Sequence, residues 1–241
     1  MRGQSIAAAV IETFLPASCA LCEAPLPAGA RGLCPSCWAG VVPDASPRCP
    51  RCGAPWADGP ATVCPACAEA PPPQEATAVW GEYDGVLRRA ILLAKHGGHD
   101  ELVRPMGRRL AALVAGQPWT QPIDAVVPVP SHPFHRLRRG WVVAEGLARE
   151  VACGLGRPFV QGLRRQGLRR QAGRTRAVRR RLPGRAFTGS ARLRGRRILL
   201  IDDVMTTGTT LRRAATAARA AGARAIRCAV LAAAPEPRRL P

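Results

Sequence analysis

Lysine is almost absent from this chain: of 36 basic residues, 35 are arginine and Lys95 is the single lysine. Acidic residues are also scarce, 16 in all, which leaves a net charge of +20. None falls between Val151 and Ile201. Aromatic residues make up 4% of the chain, too few for a broad base-stacking platform. No run of about 18 apolar residues occurs, which excludes an evident transmembrane helix. The stretch Ile6 to Leu15 is short, contains Glu12 and runs straight into cysteines, so it reads as a packing helix and not as a secretory leader. A cytoplasmic protein is therefore expected, with its cysteines kept reduced.

What is present suits a globular protein. With 241 residues and 47% apolar content, the chain has material for one medium domain and one smaller one. The arginine excess has two readings, an anionic partner such as phosphate, nucleotide or nucleic acid, or the codon bias of a GC-rich genome. Lys95 is informative for the same reason, since a lysine kept in an arginine-writing chain points to a need for a compact ammonium.

Eight of the ten cysteines form Cys-x-x-Cys pairs: Cys19 and Cys22, Cys34 and Cys37, Cys49 and Cys52, Cys64 and Cys67. The last two pairs repeat the first two at an offset of 30, and the flanks repeat as well, Ala24-Pro25 and Ala54-Pro55. Four thiolates suit tetrahedral Zn2+, and with all four positions filled by protein sulfur the sites are structural. Cys19, Cys22, Cys34 and Cys37 are expected at one zinc and Cys49, Cys52, Cys64 and Cys67 at the other, although interleaved ligation has the same spacing. Cys153 and Cys228 lie in apolar contexts and are expected in the core. Ala70-Pro71-Pro72-Pro73 reads as a linker, which divides the chain into a zinc-binding unit at 1–72 and a second domain at 73–241.

Beyond residue 77 apolar runs alternate with helical patterns, as in a parallel sheet with crossover helices. Strands are expected at Thr77 to Tyr83, Ile123 to Pro130, Arg197 to Ile201 and Ala225 to Ala232. Helices are expected at Gly85 to Lys95, Glu101 to Ala115, Trp141 to Cys153 and Leu211 to Ala221.

The segment Ile198 to Thr210 carries the chemistry. An apolar strand ends in Asp202 and Asp203, continues through Val204 and Met205 into Thr206, Thr207, Gly208, Thr209 and Thr210, and then becomes a helix. Such a turn lies at the carboxyl end of a parallel strand, where α/β proteins bind ligands. Its backbone N–H groups and the helix start suit a terminal phosphate. Two adjacent carboxylates would repel a phosphate, but they accept hydrogen bonds from neighbouring sugar hydroxyls, directly or beside Mg2+. A phosphorylated ribose satisfies both halves.

This segment closely resembles the signature of type I phosphoribosyltransferases, which bind phosphoribosyl pyrophosphate (PRPP). The resemblance implies that Asp202 and Asp203 hold the ribose hydroxyls and that the segment Val204 to Thr210 cradles the 5-phosphate. Around it the whole chain resembles the ComF family of competence proteins. The likeness is carried by Phe14-Leu15-Pro16, the cysteine pairs, Tyr83-Asp84-Gly85, Lys95-His96-Gly97-Gly98 and Val127-Pro-Val-Pro130. It continues through Arg136-Leu-Arg138-Arg139-Gly140-Trp141, then Gln171, Arg176 and Arg179, and Ala186-Phe187. The implied fold is α/β, a type I phosphoribosyltransferase parallel sheet flanked by helices, with a small N-terminal double zinc ribbon. Lys95, Ser131 and Arg139, with Arg138, are placed by that likeness near the pyrophosphate of Mg2+-bound PRPP. Two amides that the family carries after Gly140-Trp141 are Val142 and Val143 here, which leaves transferase turnover open while the PRPP signature is intact.

Arg164 to Arg197 contains fourteen arginines, more than one pyrophosphate needs. Part of that charge suits a loop closing over PRPP, and the rest suits a nucleic-acid backbone. Three functions are thus in view. The first, implied by the ComF resemblance, is a PRPP-binding protein of DNA uptake, with single-stranded DNA and uptake-machinery proteins as partners. The second is an active transferase on an unidentified acceptor in nucleotide metabolism or salvage. The third is a zinc-stabilised scaffold with a vestigial pocket.

Overall fold

Four apolar runs become the strands of one parallel sheet, and the helices between them cover both of its faces. A computed structural model describes residues 17–58, 62–96, 98–120, 123–131, 142–166 and 186–235. In chain order the elements are α1 (Pro35–Ala39), α2 (Pro65–Glu69), β1 (Ala76–Glu82), α3 (Gly85–His96), α4 (Val103–Ala115) and β2 (Ala125–Pro128). They continue as α5 (Val143–Gly154), β3 (Leu163–Arg165), β4 (Phe187–Gly189), β5 (Arg197–Met205), α6 (Thr209–Ala220) and β6 (Ala225–Ala233). The main sheet runs β1-β6-β5-β2, with every neighbouring pair parallel. Among the described residues no helix is long and apolar enough to cross a membrane.

Burial on both faces explains why β5 begins as an unbroken apolar run. Ile198 and Leu200 point into one layer, against Leu211, Ala214 and Ala218 of α6. Leu199 and Ile201 point into the other, with Ile91 of α3, Met106 and Leu110 of α4, and Leu147 of α5. All four strand residues are fully buried, worth about 1.5–3 kcal/mol each. In α5 the buried positions Val143, Ala144, Leu147, Ala148, Val151 and Ala152 keep helical spacing. Cys153 falls just past that stripe and is exposed, contrary to the expectation of a core cysteine, while Cys228 is buried as expected. The α4 and α5 helices approach closely at Gly107, where a Cβ would lie 2.5 Å from Glu150 Cβ.

The boundaries expected from sequence hold to within a few residues, with two differences. β5 does not stop at Ile201; it stays paired with β6 through Val204 and Met205, so the carboxylates sit on the strand itself. The antiparallel pair β3 and β4 was not anticipated, because three-residue strands carry too little periodicity to read. The expected helix at Ile6 to Leu15 lies outside the described residues.

The N-terminal unit is built into the sheet's edge. Asp44 N–H donates to Trp80 O at 2.9 Å and Thr77 N–H to Pro50 O at 2.8 Å, so ribbon backbone bonds the free side of edge strand β1. Leu33 and Val41 join the layer that contains Leu87 and Leu102, whereas Gly53 lies against Thr77, Val79 and Met205 of the opposite layer. The two ribbons therefore straddle β1. The proline-rich segment that follows is also packed: Pro72 and Gln74 are buried, and Glu75 N–H donates to Ile226 O at 2.8 Å.

Candidate functional site

The thirty-residue repeat is a repeat of geometry. Cys19 and Cys49 each donate N–H to a carbonyl five residues on, Ala24 and Ala54, at 2.8 Å. Cys34 N–H reaches Cys19 Sγ at 3.2 Å, and Cys64 N–H reaches Cys49 Sγ at 3.3 Å. The sulfurs of Cys19, Cys22, Cys34 and Cys37 lie within 4.8 Å of one another, as do those of Cys49, Cys52, Cys64 and Cys67. This grouping removes the interleaved alternative. Zn–S bonds of about 2.3 Å put tetrahedral sulfurs about 3.8 Å apart; Cys22 and Cys34 are 3.6 Å apart, and Cys52 and Cys64 are 3.8 Å apart.

The thiol electrostatics fit a cation at each centre. Burial raises the Cys19 thiol, but backbone N–H groups of Cys34, Leu21 and Cys22 outweigh it and bring it down to about 6. Cys37 is pushed up to about 12 by burial and by the neighbouring sulfurs. The second site behaves alike, with Cys49 lowered to about 7 and Cys52 raised to about 11. A divalent cation relieves that mutual repulsion and lets four thiolates coexist.

A cavity of about 530 Å³ opens at the carboxyl ends of β2 and β5. Its floor is Asp202, Asp203 and Val204, and Thr210 stands at its edge. Lys95, in the last turn of α3, reaches across so that Nζ lies 2.9 Å from Asp203 Oδ1. Both side chains are mostly buried, at 21% and 17% exposure, so the pair acts in a medium less screened than bulk water. Asp203 N–H donates to Asp202 Oδ1 at 2.9 Å. Burial, and next the Asp203 charge, push the Asp202 carboxyl up to about 8, against the smaller pull of Lys95 and Arg165.

Beyond the carboxylates the chain turns sharply. Gly208 has φ 69°, a conformation that glycine adopts without Cβ strain, and stands at the N-cap of α6. Thr206, Thr207, Thr209 and Thr210 are exposed, and the hydroxyls of Thr207 and Thr209 are 2.9 Å apart. A twelve-residue helix therefore starts beside the cavity, with a dipole that favours an anion at its N-terminus. Met205 differs from its neighbours: it is 6% exposed and its side chain belongs to the core layer under α6.

Ser131 and Pro130 also line the cavity, whereas Arg139, with Arg138, Gln171, Arg176 and Arg179, lies outside the described residues. Val142 and Val143 contribute an apolar wall. One cavity-lining side chain carries no signal in the sequence. Arg165, at the end of β3, lines the cavity with its guanidinium 5.5 Å from the centre of the Phe187 ring. As one of fourteen arginines in its segment it carries no distinguishing signal until β3 pairs with β4 and sets it opposite the carboxylates.

These features define an α/β domain whose cavity combines paired carboxylates, a lysine and a glycine-hinged threonine turn, with two structural Cys₄ zinc sites at its edge. Residues 119–241, just over half of the chain, match the phosphoribosyl transferase domain, and the chain belongs to that family. Residues 10–70 match the double zinc ribbon domain. Among solved structures the chain is similar to glutamine PRPP amidotransferase from B. subtilis complexed with ADP and GMP, at 24% identity and a TM-score of 0.39. That alignment covers 54% of this chain and 26% of the other. An allosteric regulatory enzyme of purine biosynthesis aligns at 23% identity and a TM-score of 0.39, over 54% of this chain and 25% of its own. The chain thus spans about a quarter of the length of these proteins. No curated protein sequence matches it.

Proposed function

We propose that this protein binds PRPP with Mg2+ in the cavity at the end of β5, and that it serves DNA uptake as a ComF-like protein of the cytoplasm. The observation that carries the binding reading is the arrangement of Asp202 and the Lys95–Asp203 pair directly before the turn that opens α6. In this reading Asp202 and Asp203 accept hydrogen bonds from the ribose hydroxyls. Thr206, Thr207, Gly208, Thr209 and Thr210 hold the 5-phosphate, Val204 and Met205 lead the backbone into it, and Lys95, Ser131, Arg139 and Arg165 face the pyrophosphate. The donor set fits Mg2+, a hard cation that takes carboxylate and phosphate oxygens. When bound it would neutralise charge on the pyrophosphate. Calorimetry tests the assignment: wild type gives a binding heat with PRPP and MgCl2, and the Asp202→Asn, Asp203→Asn double variant gives none. No heat from wild type overturns it.

Family membership favours a second reading, phosphoribosyl transfer to an unidentified acceptor. Pyrophosphate released from PRPP in the presence of candidate bases supports it, and its absence with PRPP bound favours a binding role. The DNA-uptake role draws on the ComF resemblance and on the arginines of 164–197. Single-strand affinity should fall steeply with salt, and replacing several of Arg164 to Arg181 should flatten that slope. An unchanged slope places the DNA contact elsewhere.

A further inference from the structure

The two ribbons share a backbone but differ at the residue after the first knuckle. Glu23 and Gly53 both lie in the left-handed region, at φ 60° and 75°. Each donates its N–H to the first cysteine's carbonyl at 2.9 Å. Glu23 is exposed, so this turn accepts a side chain where space is open. Around Gly53 it is closed: a Cβ there would lie 2.9 Å from Thr77 Cγ2, 2.9 Å from Val79 Cγ2 and 3.2 Å from Met205 Cε. Close packing, more than backbone conformation, demands glycine at this position.

Met205 is the last residue of β5 before the threonine turn. Its sulfur lies 3.6 Å from the place a Cβ would occupy on Gly208. One buried side chain therefore spans from the ribbon to the hinge of the turn, with its methyl group at Gly53 and its sulfur at Gly208. The ribbon end of this contact is held firmly. Pro50 and Arg51, between the zinc ligands Cys49 and Cys52, accept hydrogen bonds from Thr77 N–H at 2.8 Å and Thr77 Oγ1 at 2.7 Å. Arg48 Nη1 donates to Gly53 O at 3.1 Å.

We propose that Gly53 and Met205 are positioning residues through which the second zinc ribbon holds the turn at Thr206 to Thr210, so that zinc at Cys49, Cys52, Cys64 and Cys67 sets the affinity of the cavity for the 5-phosphate of PRPP. The affinity half of this statement rests on the PRPP reading above; the mechanical half does not. The coupling runs through contiguous packed groups, the physical route by which distant sites influence each other.

Amide hydrogen exchange on the full zinc-loaded chain, resolved over Met205 to Thr210, decides the matter. Wild type is compared with Gly53→Ala and with Gly29→Ala, since Gly29 has the same left-handed backbone (φ 77°) but nothing within 4 Å of its Cβ position. Exchange at the turn should rise about five-fold or more in Gly53→Ala. It should stay unchanged in Gly29→Ala and at the β6 amides, with two zinc ions per chain kept in each by mass spectrometry. PRPP affinity should fall by a similar factor. Met205→Leu, which keeps volume but loses the terminal methyl's reach, gives the same direction and serves if Gly53→Ala fails to fold. Equal exchange at the turn in wild type and variants overturns the coupling. If wild type binds no PRPP while the exchange difference persists, the coupling stands and the PRPP reading is the part overturned.

Discussion

Replacing Asp202 with asparagine should make the ligand-free protein more stable in mild alkali. In an unfolded chain an aspartate titrates near 3.9, whereas burial and the Asp203 charge raise Asp202 in the folded protein to about 8. Between those values the folded state binds the proton and the unfolded state does not, so stability falls as pH rises and levels off above about 8. Each tenfold change in proton affinity is about 1.4 kcal/mol, which sets a ceiling of about 6 kcal/mol. Asp202 lines a cavity that is open to solvent, which screens its charge, so about half of the ceiling, about 3 kcal/mol, is expected. The introduced amide would retain an oxygen for the Asp203 N–H and bring no charge into the cavity floor. Urea unfolding at pH 6, 7, 8 and 9 measures the effect: the advantage of Asp202→Asn over wild type should grow with pH and then plateau. Parallel pH profiles for the two proteins, or a variant that is less stable at pH 9, would refute the reasoning.

Lys95→Met should weaken PRPP binding about ten-fold or more by calorimetry, and Lys95→Arg should not restore it, because a planar guanidinium does not replace a compact ammonium beside Asp203. Metal analysis should find two zinc ions per chain. Cys19→Ser should lower Tm sharply, since structural zinc contributes about 10–16 kcal/mol and the first ribbon shares its core with Leu87 and Leu102. Gly107→Ala should cost about 1 kcal/mol or more in thermal unfolding despite alanine's helix propensity, because its Cβ would press on Glu150.

Much of the site was legible because its parts are local. A strand, two acids, a small-residue turn and the start of a helix occupy thirteen consecutive residues, and the cavity forms at that segment. The singular Lys95 was legible by contrast with its arginine background, and the zinc ligands by spacing. Arg165 was illegible among equals. Cys153 was misread because an apolar neighbourhood in sequence does not say which side of a helix faces the core.

By itself, then, the sequence determined four cysteine knuckles and a small-residue turn after a buried strand, since metal knuckles and βα turns close within a few residues. Only the tertiary structure brought Lys95 to Asp203 across 108 positions. It alone set Arg165 on the cavity wall, wrapped the ribbons around β1 and seated Met205 against Gly53. Those contacts depend on the order β1-β6-β5-β2, which is chosen by burying both faces of one sheet at once, a requirement that no short stretch of sequence expresses.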